Sequence, residues 1–458
     1  MSHTSPKIII LGAGPCGLGA GWRLHELGID TYDIYERESY VGGLATSFVD
    51  PNGFTWDIGG HVLHSHYPYF DSVFETVMQS DYLSHQREAW VWIYDRFVPY
   101  PFQNNIHRLP KDAYDECLAG LKVLQHASVT TPKTFSEWVQ ASFGTGIAKH
   151  FLLPYNRKVW AYPPEKMNRI WVGDRVAQVD IARIEKNYAN GTDDVSWGPN
   201  ALFQFPSKGG TGEIWNRIAK PFMDHIHTEK RVVKIESKKR LVHFSDGTTD
   251  IYDVLLTTIP VDTLVDLITD ADFPKPKDSL HHSTVTIVGL GIQGEVPEQL
   301  KTKCWMYFPQ DNAPFFRATV FSNYAPGNAP KGTWSLMTEV ASSQYNPLPK
   351  EEIIANVIRG AKNVQLIQRR ESIVSTWKFS AQYGYPTPSL SRDGYIDMVL
   401  PELAKSNIFS RGRFGAWKYE VSNQDHTFMQ GVEWANHVIN SEVEVTVFHP
   451  EIVNKKTS

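Results

Sequence analysis

Residues 7–17, Lys7-Ile8-Ile9-Ile10-Leu11-Gly12-Ala13-Gly14-Pro15-Cys16-Gly17, decide the fold. Four consecutive apolar residues without alternation read as a strand buried on both faces, as in a parallel sheet. The glycines after it have the spacing G-x-G-x-x-G. Gly12 permits a tight turn, Gly14 lets the backbone approach a pyrophosphate, and Gly17 lets the next helix pack on the strand. That helix, predicted from about Cys16 to Leu27 and closed by Gly28, turns its unpaired N–H groups and positive end toward the phosphates. Thr31 to Tyr35 read as the second strand, and Glu36 at its end stands where an acid meets a ribose hydroxyl. This order of elements specifies a doubly wound α/β domain that holds a dinucleotide. By itself it does not separate NAD from FAD.

The rest of the chain narrows the class. At 458 residues there is material for two or three domains. The balance of 45 basic and 50 acidic residues gives a net charge of −5, and no reason to expect a nucleic acid or an anionic membrane as partner. Three widely spaced cysteines, Cys16, Cys117 and Cys304, make neither a disulfide framework nor metal-ligand spacing, so no metal site is expected. The N-terminus is polar, and Ile8 to Leu11 is too short for a signal-peptide core. No run approaches the roughly 18 apolar residues of a membrane span, so a cytoplasmic enzyme is the expectation.

Helical patterning runs from about Pro110 to Ala189, with Phe143 to Tyr155 a clear segment. Strand patterns return at Arg231 to Ile235, Leu241 to Phe244 and Val254 to Ile259, with a hairpin at Asp246-Gly247. A second β-rich stretch contains Ser283 to Ile292, Trp305 to Phe308, Arg317 to Ser322 and Thr333 to Val340, then a helix near Lys350 to Arg359. Ile408 to Ser410 reads as a strand and Gln424 to Ile439 as a helix. No repeat or long linker appears, so the expected domains interleave. Residues 1–98, 206–262 and 379–458 form the cofactor domain and C-terminal helix, 99–205 a mainly helical substrate domain, and 263–378 an antiparallel β-sheet substrate domain.

After Glu36 comes a second glycine pair, Gly42-Gly43, followed by Leu44. This resembles the FAD-binding continuation of the glutathione-reductase-like flavoproteins, amine oxidases included. Ser410-Arg411-Gly412-Arg413-Phe414-Gly415, ahead of the Gln424 helix, resembles the closing segment of the same fold, where a helix N-terminus faces the flavin pyrimidine. Such an end stabilises the negative charge of reduced flavin.

More distinctive strings go further. They include Trp56-Asp57-Ile58-Gly59-Gly60-His61, Pro99-Tyr100-Pro101-Phe102-Gln103-Asn104-Asn105, Pro154-Tyr155-Asn156-Arg157-Lys158-Val159-Trp160-Ala161, Gly173-Asp174-Arg175-Val176-Ala177 and Phe316-Arg317-Ala318-Thr319-Val320. In order and spacing, from about residue 7 to about residue 448, they resemble the UDP-galactopyranose mutases, the eukaryotic type most of all.

The resemblance implies a redox-neutral isomerase that interconverts UDP-galactopyranose and UDP-galactofuranose. FAD is active when reduced, its N5 attacking the anomeric carbon while UDP leaves. It also implies the site. Arg175 and Arg317 match the pair that grips the diphosphate, and arginine suits that task through its bidentate fork. His61 matches a mobile histidine loop beside the flavin. Cofactor contacts fall on Gly12, Gly14, Cys16, Gly17, Glu36, Gly43, Leu44, Gly59, Gly60, Val233, Arg413, Asn423 and Gln424. Phe102 and Gln103 match uracil contacts, with Tyr100, Asn156, Trp160 and Asn200 in the same pocket, and Tyr307, Tyr385 and Tyr419 match tyrosines that bond the diphosphate.

The sequence departs from that pattern at His64, where fungal members carry Phe, and at Ala89, which replaces a serine near Arg87. Arg87 itself matches an arginine tied to NADPH, but the change at Ala89 leaves an NADPH site unassigned, so NADPH or NADH is one possible reductant, and a homo-oligomer is possible. Two other readings share the cofactor frame: a mutase for another nucleotide sugar, and an amine-oxidase-like oxidoreductase. A non-enzymatic flavoprotein is disfavoured because the matched residues are all present.

Overall fold

The computed structural model describes residues 6–126, 131–173, 176, 179–195, 201–348, 351–368 and 372–455. Ile8–Leu11 lies at the centre of a five-stranded parallel sheet. On one side it pairs with Tyr32–Tyr35, which in turn pairs with Ile226–His227. On the other it pairs with Val254–Thr257, followed by Ile408–Ser410. Every residue of the central strand is buried, which is why it reads as an unbroken apolar run. The sheet draws on the beginning, middle and end of the chain, so the cofactor domain is interleaved as expected.

The first helix spans Pro15–Glu26, with proline at its first position and Gly28 at φ +68° just beyond its end. The closing helix, Gln424–Asn440, crosses it at close range. A Cβ on Gly19 would lie 2.2 Å from the Phe428 carbonyl oxygen, and one on Gly431 would lie 2.0 Å from that of Cys16. Only glycine allows the two backbones this approach. Phe428, Trp434 and Ala435 then bury their side chains with Leu18 and Leu24 in one core.

Beside this domain stands a seven-stranded mixed sheet. Its order is Ile373–Thr387, His281–Gln293, Thr333–Ser342, Arg317–Val320, Trp305–Tyr307, Ala89–Ile93 and Arg96–Pro99. All neighbours are antiparallel except Trp305–Tyr307 with Ala89–Ile93. Two of these strands, Ala89–Ile93 and Arg96–Pro99, begin ahead of the boundary at 98/99. Ile373–Thr387 runs straight through the one at 378/379. These strands leave one segment of the chain to complete another segment's sheet.

The helical layer contains Lys111–Leu124, Phe135–Ile147 and Leu153–Trp160. The last two are joined by a wide, underwound helical turn at Ala148–Leu152, and Gly144, at φ +73°, kinks the helical path one residue into the predicted Phe143 to Tyr155 segment. Thr134 and Glu137 form a reciprocal capping box at the start of Phe135–Ile147. The hairpin predicted at Asp246-Gly247 forms between Leu241–Phe244 and Thr249–Ile251. Three free cysteines, Cys16, Cys117 and Cys304, are buried. Among the described residues no helix is long and apolar enough to cross a membrane.

Candidate active site

A cavity of about 1510 Å³ runs from the glycine turn to the large sheet. At one end Gly12 has φ +105°, and a Cβ there would lie 2.1 Å from the Thr258 hydroxyl oxygen. A Cβ on Gly17 would sit 1.9 Å from the Gly12 carbonyl oxygen, so helix and turn interlock. Gly43, at φ +53°, brings its backbone against Gly14, where a Cβ would lie 3.2 Å from the Gly14 Cα. The two glycine motifs read separately from the sequence are thus one groove, open to the cavity and shaped for a pyrophosphate.

Glu36 fixes this groove from below. Its carboxylate accepts the Ala13 N–H at 2.8 Å and the Glu38 N–H at 3.0 Å. Burial pushes its pKa up, opposed by those two donors and by Arg37. Cys16, Leu44 and Gly412 complete the walls, and burial raises the Cys16 thiol far above its ordinary value. Val233 is different. It occupies the irregular position of the Val232–Glu236 strand and is 48% exposed, whereas Lys230, Arg231 and Val232 line the cavity. The alternation of the strand sends the Val233 side chain outward.

The Gly59-Gly60-His61 loop crosses the middle of the cavity. Gly60 donates its N–H to Glu339 Oε1 at 3.0 Å, and the His61 carbonyl accepts from Thr211 Oγ1 at 2.8 Å. His61 is held neutral, its pKa depressed to about 3 by burial and by the charges of Arg413 and Arg317. His64 is depressed to about 4, chiefly by burial. His61 Nδ1, His64 Nδ1 and Arg87 Nε are buried without partners among the described residues, and all three side chains line the cavity. Buried polar atoms of this kind call for a bound partner.

Arg317 approaches from the sheet. Its Nε and Nη2 pair with Glu339 at 2.6 and 2.7 Å, and among the described residues Nη1 has no partner. Tyr307, Tyr385 and Tyr419 line the same region, and burial raises the Tyr385 phenol to about 12, so it is a neutral donor. Trp160 packs edge-on behind Tyr385 and Tyr419 at 5.8 and 4.7 Å. Arg87 donates to the Tyr307 hydroxyl at 3.1 Å and lies over the Trp305 ring at 4.9 Å. Tyr100 stands edge-on to Tyr307 at 5.6 Å.

Several matched residues sit behind the wall instead of on it. Phe102 is fully buried against Phe151, and Gln103 is buried beside it. Trp160 is 1% exposed and belongs to the helical core. Asn156 donates to the Leu152 carbonyl at 2.8 Å and accepts from Trp160 Nε1 at 3.3 Å, which ties it to its own helix. Arg413 also spends its guanidinium within the protein, donating to the Gly384 carbonyl and to the carbonyl and hydroxyl of Ser422. It lines the cavity and holds the Ile373–Thr387 strand against the start of the closing helix. Asn423 caps that helix, and Gln424 Oε1 accepts from Trp215 Nε1 at 2.9 Å. Arg175 and Asn200 lie outside the described residues.

Residues not singled out from the sequence complete the site. Glu339, which joins Arg317 to the glycine-histidine loop, is the one charged residue of the buried strand Thr333–Ser342, and that isolation is its signal. Thr258 and Thr211 carried none. His66, Asp425 and His426 are the one group among the described residues whose ligand atoms gather as in a metal centre. Asp425 Oδ2 already accepts the His66 backbone N–H and Nδ1 at 3.0 and 2.7 Å, which is the geometry of a hydrogen-bonded clamp.

The comparisons agree with this frame. The profile of flavin-containing amine oxidoreductases matches residues 15–439. A crystal structure of reduced UDP-galactopyranose mutase is similar over 98% of both chains, at 45% identity and a TM-score of 0.96. A putative protoporphyrinogen oxidase from Exiguobacterium covers 96% of this chain and 100% of its own at 15% identity and a TM-score of 0.73. A fatty acid isomerase from P. acnes covers 95% and 99% at 14% identity and a TM-score of 0.66. The last two share the fold alone. The glycine groove, the acid beneath it and the adjoining cavity suit FAD, and the chain belongs to the flavin-containing amine oxidoreductase family, on its UDP-galactopyranose mutase branch, as a flavin-dependent isomerase.

Proposed function

We propose that the protein interconverts UDP-galactopyranose and UDP-galactofuranose. The observation that carries this reading is the meeting, in one cavity, of the cofactor groove with Arg317 and the tyrosines Tyr307, Tyr385 and Tyr419. Reduced FAD supplies the nucleophile for the anomeric carbon. The protein's own task is to hold a diphosphate that departs and must return. Arg317 Nη1, the tyrosine hydroxyls and, by resemblance, Arg175 hold that charge close to the sugar. His61, kept neutral, adds no competing cation beside the cofactor.

Tyr100, Phe102, Gln103, Asn156, Trp160 and Asn200 belong to the uridine end in this reading. The buried positions of Phe102 and Trp160 make them the floor under that end. Arg87, on the cavity wall against Trp305, suits the phosphate of a nicotinamide nucleotide, and NADPH or NADH is the reductant we assign. The eukaryotic type, the glutathione-reductase-like cofactor frame, a homo-oligomeric state and a cytoplasmic location complete the proposal. Three buried free thiols agree with a reducing compartment.

The test is chromatography of UDP-, GDP- and dTDP-hexopyranoses incubated with dithionite-reduced protein. Ring contraction confined to UDP-galactopyranose supports the reading. Oxygen-dependent oxidation of an amine, with no ring contraction in any nucleotide sugar, overturns it.

A further inference from the structure

Asp425 is the second residue of the closing helix and is 1% exposed. Its Oδ2 receives two hydrogen bonds from one residue 359 positions earlier, the backbone N–H of His66 at 3.0 Å and its Nδ1 at 2.7 Å. His426 lies against both. Its ring is 4.5 Å from that of His66, its Nδ1 is 3.2 Å from Asp425 Oδ1, and Tyr67 covers it edge-on at 5.6 Å. Burial works against charge on Asp425, yet His426 and His66 hold the carboxylate well below its usual range.

The clamp joins two parts of the cofactor cavity, the histidine loop and the closing helix. The loop from Gly59 to His66 is tied at Gly60 to Glu339 in the large sheet and at His61 to Thr211. At Leu63 it is tied to Gln204 by a pair of backbone bonds at 3.1 and 2.9 Å. Those three anchors leave the closing helix untouched. Among the described residues of the loop, His66 is the one that hydrogen-bonds to it. Asn423, Gln424, Asp425 and Thr427 line the cavity, so the first turn of that helix, with its unpaired N–H groups, faces the cofactor space.

We propose that Asp425 is a positioning residue that locks the histidine loop to the N-terminal turn of the closing helix, so that both meet the flavin in one fixed arrangement. Aligned N–H groups favour the more negative, reduced cofactor, so loosening the clamp weakens reduced FAD more than oxidised FAD. The inference rests on FAD in the cavity and is independent of which sugar is turned over.

The test is spectroelectrochemical titration of FAD-loaded protein, with no sugar present. Asp425→Ala is expected to lower the ratio of reduced to oxidised FAD affinity about tenfold, a fall of about 30 mV for a two-electron couple. Asp425→Asn keeps an oxygen in place for the His66 donors and is expected to stay within threefold of the parent. If Asp425→Ala leaves the ratio unchanged, or Asp425→Asn shifts it as far as Ala, the positioning role is overturned. Should Asp425→Ala fail to fold, His66→Ala, which retains the backbone donor, is expected to shift the ratio in the same direction by a smaller factor. No shift there also overturns the role.

Discussion

Arg317 and Glu339 stand directly opposite each other on neighbouring antiparallel strands and pair through two hydrogen bonds of 2.6 and 2.7 Å. The same carboxylate accepts the Gly60 N–H. One acid therefore sets both the direction of an arginine that lines the cavity and the path of the loop that crosses it.

Removing that acid leaves a buried cation without its partner. Glu339→Ala is expected to lower unfolding stability by about 3–5 kcal/mol, and Glu339→Gln, which keeps an oxygen for Gly60, by less. Urea denaturation of the FAD-loaded proteins measures both. Equal, small losses would refute the dual role.

Arg317→Ala removes one of the cations that line the cavity with Tyr307, Tyr385 and Tyr419. Turnover is expected to fall at least about 100-fold, the size typical for loss of one preorganised charge donor. The ratio of flavin to protein absorbance should stay at its parent value. Arg175→Ala is expected to behave alike, and near-normal rates in both would remove the diphosphate assignment.

Gly17→Ala places a methyl group 1.9 Å from a backbone oxygen that cannot move aside. The variant is expected to purify without flavin or to fail to fold. Gly28→Ala meets no atom within 4 Å and pays only for its left-handed backbone, about 1–2 kcal/mol. It should retain the yellow cofactor.

Lys158 gives a pH test. Its ammonium donates to the Gln310 and Ala313 carbonyls at 3.0 and 2.8 Å, and burial depresses its pKa to about 7. The unfolded chain, at the ordinary lysine value of 10.5, binds more protons between these limits, so stability rises with pH across that window. The group's contribution is up to about 1.4 kcal/mol per pH unit. Comparing unfolding of the parent and Lys158→Met from pH 7 to 9.5 tests this. Identical slopes would contradict it.

The cofactor domain was legible because local chemistry specifies it. The strand at Ile8, the turn at Gly12 to Gly17 and Glu36 each carry their meaning within a few residues, and the structure closes them into one groove. The cavity wall was harder. Phe102 and Trp160 are aromatic residues in distinctive strings, but pattern cannot tell a ring that faces a ligand from one that supports it. Arg413 looked like a cofactor contact, yet its donors go to Gly384 and Ser422, a pairing set by tertiary packing. Glu339 and Asp425 matter because of partners 279 and 359 positions away, and no local window contains that information.

The glycine contacts between Pro15–Glu26 and Gln424–Asn440 also impose an order on biosynthesis. The cofactor turn is synthesised well before the helix that closes over it. At roughly 5–20 residues per second the interval is tens of seconds. Throughout it, the nascent chain leaves uncovered the helix face at Cys16, Gly19 and Ala20 against which Phe428 and Gly431 later pack.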